Sequence, residues 1–148
     1  MVTLVAPPQI KSSLCTSQEF SAKFRVAVAE DQPRLLHALV TILARDFDVI
    51  ATAADGQTLL QSILEEQPDV VVVDLGLPDM NGLELTRRVV QNLRHTRVVL
   101  CSVEDDPELV NAAFEAGASG YVWKNRIACE LNSAVRLAAT GRQFTSVM

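Results

Sequence analysis

From Phe24 onward, short apolar runs alternate with stretches whose apolar residues recur every three or four positions. Strands alternating with helices in a parallel sheet produce that pattern. The first strand reads as Phe24-Arg-Val-Ala-Val-Ala29 and stops abruptly at Glu30-Asp31. Pro33 suits the opening turn of a helix, where its missing N–H is not needed, and Leu35, Leu36, Leu39, Val40 and Leu43 form one stripe behind it. A second strand is expected near Val49-Ile-Ala-Thr52, and a second helix with Leu59, Leu60, Ile63 and Leu64 ends before Pro68. Val70 to Val73 are four β-branched residues with no polar alternation, which marks a strand buried on both faces near the centre of the sheet.

Asp74 ends that strand. The turn-forming segment Gly76-Leu-Pro78-Asp-Met-Asn81-Gly82 follows, then a helix from about Leu83 to Asn92. The fourth strand, Arg97-Val-Val-Leu-Cys101, ends at Ser102, and Asp106-Pro107 supplies a cap and first turn for a helix that stops at Gly117. A short fifth strand, Gly120-Tyr-Val-Trp123, ends at Lys124. Ile127, Leu131, Val135 and Ala138 stripe the last helix, which Gly141 closes. The expectation is five strands and five helices over residues 24–143, with a flexible N-terminal tail over 1–23 and a C-terminal tail over 144–148.

The polar residues add chemistry to this frame. Glu30 and Asp31, Asp74, Ser102 and Lys124 all fall at carboxyl ends of predicted strands, the edge where open parallel sheets bind ligands. Right-handed crossovers with strand order 2-1-3-4-5 bring them to one pocket. Each alone is ordinary: a solvated loop acid, a helix cap, a loop hydroxyl, a surface lysine. Together, at four strand ends in order, they make a site. Three carboxylates repel one another unless a cation intervenes, and hard oxygens suit Mg²⁺, which needs few protein ligands. A carboxylate such as Asp74 can attack phosphorus without a separate base, while an ammonium and a hydroxyl offset charge on the transferred group.

Composition narrows the field. The formal net charge of −5, without a Lys/Arg run, argues against electrostatic binding of nucleic acid or an anionic membrane by this chain. Cys15, Cys101 and Cys129 lack metal-ligand spacing and read as reduced thiols. No apolar run is long enough to span a bilayer, and the first residues lack a basic segment followed by an unbroken apolar one, so the expected location is cytoplasmic.

The sequence resembles the receiver domains of two-component response regulators from about Arg25 to Gly141. The acidic pair is Glu30-Asp31; the phosphoacceptor motif is Val-Val-Val-Asp74-Leu-Gly-Leu-Pro78-Asp-Met-Asn-Gly82; Ser102, Tyr121 and Lys124 follow in order. Glu115-Ala-Gly-Ala-Ser-Gly-Tyr-Val-Trp-Lys124 is most similar to receivers that precede a LuxR-type helix-turn-helix.

The resemblance implies a flavodoxin-like, doubly wound fold, a phosphoryl group accepted by Asp74 from a histidine kinase or phosphotransfer protein, and no further enzyme activity. It implies Mg²⁺ on Glu30, Asp31, Asp74 and the Gly76 carbonyl. Ser102 and Lys124 would act on the phosphoryl group, and Ser102 with Tyr121 would form the switch. That switch would alter the face of the fourth helix, fifth strand and fifth helix, allowing a phosphorylation-dependent homodimer. Too few residues follow Lys124 to include the DNA-binding domain, which leaves a stand-alone receiver or part of a transcriptional regulator.

Three departures are Asn125, where many receivers have proline; Val103, where a smaller residue is common; and that missing domain. A pseudo-receiver, keeping the fold as a phosphorylation-independent binding module, is the main alternative. A flavodoxin would need a phosphate-binding loop where Glu30-Asp31 stands, and a dehalogenase-type phosphatase would need an acid where Gly76 stands.

Overall fold

Val70 to Val73 show how the two faces of the sheet are made. All four are fully buried; Val70 and Val72 enter one apolar cluster, Val71 and Val73 the other. The period-two side-chain alternation of a strand therefore feeds two cores at once, each such valine contributing about 2 kcal/mol of burial.

The computed structural model describes residues 23–147, so the tail expected before Lys23 lies outside the described residues. Its strands are β1 (Arg25–Ala29), β2 (Asp48–Ala53), β3 (Val70–Asp74), β4 (Arg97–Ser102), β5 (Gly120–Trp123) and β6 (Phe144–Thr145). The helices are α1 (Pro33–Leu43), α2 (Gly56–Glu66), α3 (Gly82–Asn92), α4 (Pro107–Glu115) and α5 (Ile127–Ala139), with a 3₁₀ turn over Lys124–Arg126. All strand pairs are parallel, in the order β2-β1-β3-β4-β5-β6. Leu39 and Leu43 of α1 pack with Leu131 and Val135 of α5 on one face. Leu59 and Ile63 of α2, Leu85 and Val89 of α3 and Ala113 of α4 pack on the other.

The expectation of five strands is corrected to six, and part of the predicted C-terminal tail is that sixth strand. Gly141, at φ 87°, turns the chain back after α5. Phe144 N–H then donates to the Ser119 carbonyl at 3.0 Å, and Ser146 N–H to that of Tyr121 at 2.9 Å. Ser146 Oγ also accepts from Trp123 N–H at 3.1 Å and donates to Glu130. Two paired residues are too few to show a period in sequence, so this strand was not legible.

Registers bring the strand ends level. Asp74 pairs with Cys101, and Ser102 with Trp123, next to Lys124. The first turn of α3 comes so close to the end of β3 that a Cβ on Gly82 would lie 2.7 Å from Leu75 Cα and 3.1 Å from the Asp74 carbonyl oxygen. Backbone cannot yield as a flexible side chain does. Gly82→Ala should therefore lower stability by about 1–3 kcal/mol in urea denaturation; an unchanged midpoint would mean α3 can shift freely.

Candidate functional site

Glu30 is 1% exposed and Asp74 6%, while Asp31 reaches solvent. One carboxylate oxygen from each lies within 4.8 Å of the others. Lys124 Nζ approaches from β5, 2.9 Å from Asp74 Oδ1 and 3.5 Å from Glu30 Oε1. Asp74 Oδ1 also accepts from Gly76 N–H at 3.3 Å, and Glu30 Oε2 from Gln32 N–H at 3.0 Å. Beside them opens a pocket of about 530 Å³, whose walls include Asp31, Asp74, Gly76, Asn81, Ser102 and Lys124. Of the predicted metal, phosphoacceptor, hydroxyl and lysine residues, the structure brings all into this one region.

Burial raises the Glu30 carboxyl above its ordinary value and the charge of Asp74 adds to this, although the Gln32 N–H pulls the other way. Burial pulls Lys124 down, but the hydrogen bond and charge of Asp74, followed by Glu30, outweigh it and hold the ammonium above its ordinary value. These are not two halves of one balanced pair. Asp74 at the shorter distance holds Lys124 charged, leaving Glu30 with the cost of its own burial.

The donor set fits a divalent cation such as Mg²⁺. Three hard carboxylates face the Lys124 ammonium, and among the described residues buried Glu30 Oε1 has only that ammonium, 3.5 Å away, and no hydrogen-bond partner. Gly76 lines the same opening, and a Cβ there would meet nothing within 4 Å. Space therefore does not require glycine at this position; a backbone carbonyl remains its one candidate ligand.

Ser102 is 3% exposed, and its Oγ accepts from Glu104 N–H at 3.0 Å. Tyr121 is fully buried and its hydroxyl donates to the Glu104 carbonyl at 2.8 Å, so serine and tyrosine hold the same loop residue. Burial pushes the Tyr121 phenol above its ordinary value. Val103, 78% exposed, stands at the pocket mouth. The sequence did not single out Gln32, whose backbone orients Glu30, and it placed Asn81 in a turn and in the phosphoacceptor motif without giving it a role of its own. The side chain of Asn81 caps α3 by accepting from Leu83 N–H at 2.6 Å, and its place beside Gly82 was the available signal.

Cys101, on β4 beneath the site, is buried and its thiol is pushed up to about 12 by desolvation, whereas Cys129 is exposed. Alkylation in mildly alkaline buffer should modify Cys129 and spare Cys101 until the protein unfolds. Peptide mapping would show this, and early labelling of Cys101 would contradict its burial.

A parallel α/β sheet with three acids, a hydroxyl and a lysine gathered at its carboxyl edge defines a receiver-type signalling module. The model of the response regulator receiver domain matches residues 26–136, and the chain belongs to that family. It is 31% identical over 124 residues to the transcriptional regulatory protein DegU of Brevibacillus brevis, covering 82% of this chain and 52% of that one. The signal receiver domain of the putative response regulator NarL from Mycobacterium tuberculosis superposes with a TM-score of 0.78 at 33% identity, covering 82% of this chain and all of that one. A two-component response regulator of the LuxR family from Aurantimonas sp. SI85-9A1 gives a TM-score of 0.79 at 32% identity, over 83% and 89% of the two chains. The chain spans about half the length of the curated relatives it matches. Receiver domains of response regulators are signalling modules, not classical enzymes, and they interact with histidine kinases. Among the described residues no helix is long and apolar enough to cross a membrane.

Proposed function

We propose that this chain is a phosphorylation switch whose phosphoacceptor is Asp74, supplied by a histidine kinase or phosphotransfer protein. The observation that carries the reading is Asp74 itself, paired to Lys124 at 2.9 Å within an acidic cluster that opens to a pocket. Glu30, Asp31, Asp74 and the Gly76 carbonyl would hold Mg²⁺. When bound, the ion offsets negative charge on the phosphoryl oxygens and on the carboxylates around them.

A carboxylate oxygen of Asp74 attacks phosphorus; the new O–P bond forms as the bond to the donor breaks, and the donor leaves with that electron pair. Lys124 neutralises part of the charge that then collects on the acyl phosphate. Ser102 donates its O–H to a phosphoryl oxygen, which draws on the residue that also anchors Glu104. Tyr121 is already inside in this structure, so the adjustable part is the loop it holds through the Glu104 carbonyl. That loop leads into α4, making the α4–β5–α5 face the output surface, with a phosphorylation-dependent homodimer as one use of it. The setting in a LuxR-type transcriptional regulator belongs to the same proposal and is supported by the relatives named above, with a stand-alone receiver as the other setting the sequence allows.

Adding Mg²⁺ and beryllofluoride, a phosphoryl mimic, should shift backbone amides in residues 74–82, 102–106 and 120–126. An amide spectrum that stays unchanged would overturn the switch and favour the phosphorylation-independent binding module.

A further inference from the structure

The β3–α3 loop carries a carboxylate that takes no part in the acidic cluster. Asp79 Oδ1 accepts from Gly56 N–H at 2.8 Å and Oδ2 from Gln57 N–H at 2.9 Å. Those groups open α2, whose own N-cap, Asp55, accepts from Thr58 N–H at 2.7 Å. The first N–H groups of a helix have no partner inside it. Here they are satisfied by two carboxylates from two different elements. The neighbouring Met80 packs over Gly56, where a Cβ would lie 2.7 Å from Met80 Cγ. The same N–H donors, that of Gly56 first, hold the Asp79 carboxyl below its ordinary value.

The rest of the loop is tied to the site. Leu75 N–H donates to the Cys101 carbonyl at 3.0 Å, and Gly82 N–H closes back on the Leu75 carbonyl at 2.8 Å. Between those ends stand Gly76 and Asn81, both in the pocket wall. The staple is the polar tie between the outer turn of the loop and α2, a helix packed into the core through Leu59 and Ile63; buried Leu77 and half-buried Met80 pack the same turn from the apolar side.

We infer that Asp79 is a positioning residue of the site: by fastening the loop to α2 it fixes Gly76 and Asn81 relative to Asp74. The inference rests on the function proposed above. It differs from plain helix capping, because Asp55 caps the same helix without touching the loop.

Three variants test it: Asp79→Ala, the near-isosteric Asp79→Asn, which should fold even if alanine does not, and Asp55→Ala as a cap control. In metal-free protein, Asp79→Ala should speed hydrogen exchange at the amides of Gly76 and Gly82, and Asp55→Ala should not. The apparent Kd for Mg²⁺, read from the emission of Trp123, the only tryptophan, should rise about tenfold in Asp79→Ala, the scale for losing an outer support of a metal site. It should rise by less in Asp79→Asn, which keeps one acceptor oxygen, and stay near wild type in Asp55→Ala. Similar losses of Tm in both alanine variants, with exchange and Mg²⁺ affinity unchanged in both, would reduce Asp79 to a helix cap and overturn the inference. Wild-type protein that binds no Mg²⁺ would overturn the functional reading and the positioning role with it, an outcome plainly separate from the first.

Discussion

Asp74→Asn should take up no phosphoryl group from a small acyl phosphate, a loss on the order of a thousandfold or more, as when a covalent nucleophile is removed. The amide keeps the size of the side chain and an oxygen that can still accept from Gly76 N–H. It loses the negative charge that attacks phosphorus and that attracts Lys124 at 2.9 Å. β3 should stay in place, because its pairing with β1 and β4 is made by backbone. Intact-mass analysis of both proteins after the same exposure to phosphodonor checks this. A variant labelled as fast as wild type would put the nucleophile elsewhere.

Lys124→Ala is expected to destabilise the metal-free domain and to make it unusually responsive to Mg²⁺. Removing the ammonium leaves Glu30 and Asp74, with side chains 0% and 7% exposed, facing each other unpaired. Breaking a fully buried ion pair from one side costs about 3–5 kcal/mol. Lys124 retains 18% side-chain exposure, so solvent screening brings the expectation to about 2 kcal/mol. A divalent cation binds the folded state alone and should restore much of that loss. Denaturation in EDTA and in Mg²⁺ would show the two curves converge; equal losses in both would mean Lys124 does not balance the cluster.

The pH dependence follows from the directions of the shifts. Lys124 lies above its ordinary value when folded, so its contribution is complete at neutral pH and is lost as pH rises through the folded value. Glu30 is raised too, in its case by burial, so it favours folding most below the ordinary glutamate range, and that contribution falls as pH rises through its folded value.

Much of this was legible because the strands are buried on both faces. The valine run of β3 could be read as central without any structure, and the polar residues at the ends of β1, β3, β4 and β5 stood out against such runs. The order 2-1-3-4-5 expected for the first five strands, with right-handed crossovers, is the order found. What stayed hidden depends on contacts across the fold. Asp79 looked like one more turn residue, since its partners Gly56 and Gln57 lie more than twenty positions earlier. The strand at Phe144 is held by the carbonyls of Ser119 and Tyr121, which no local period announces. The inward position of Tyr121 was equally invisible, because a half-buried and a fully buried strand aromatic look alike in sequence.

The central claim is tested most directly by locating the modification. The full chain is treated with an acyl phosphate and Mg²⁺, the labile acyl phosphate is trapped by borohydride reduction, and the peptides are sequenced by mass spectrometry. The account predicts a single modified residue, Asp74, with labelling that disappears in EDTA. No incorporation in the presence of Mg²⁺, incorporation unaffected by EDTA, or a phosphoryl group on any residue other than Asp74 would contradict it.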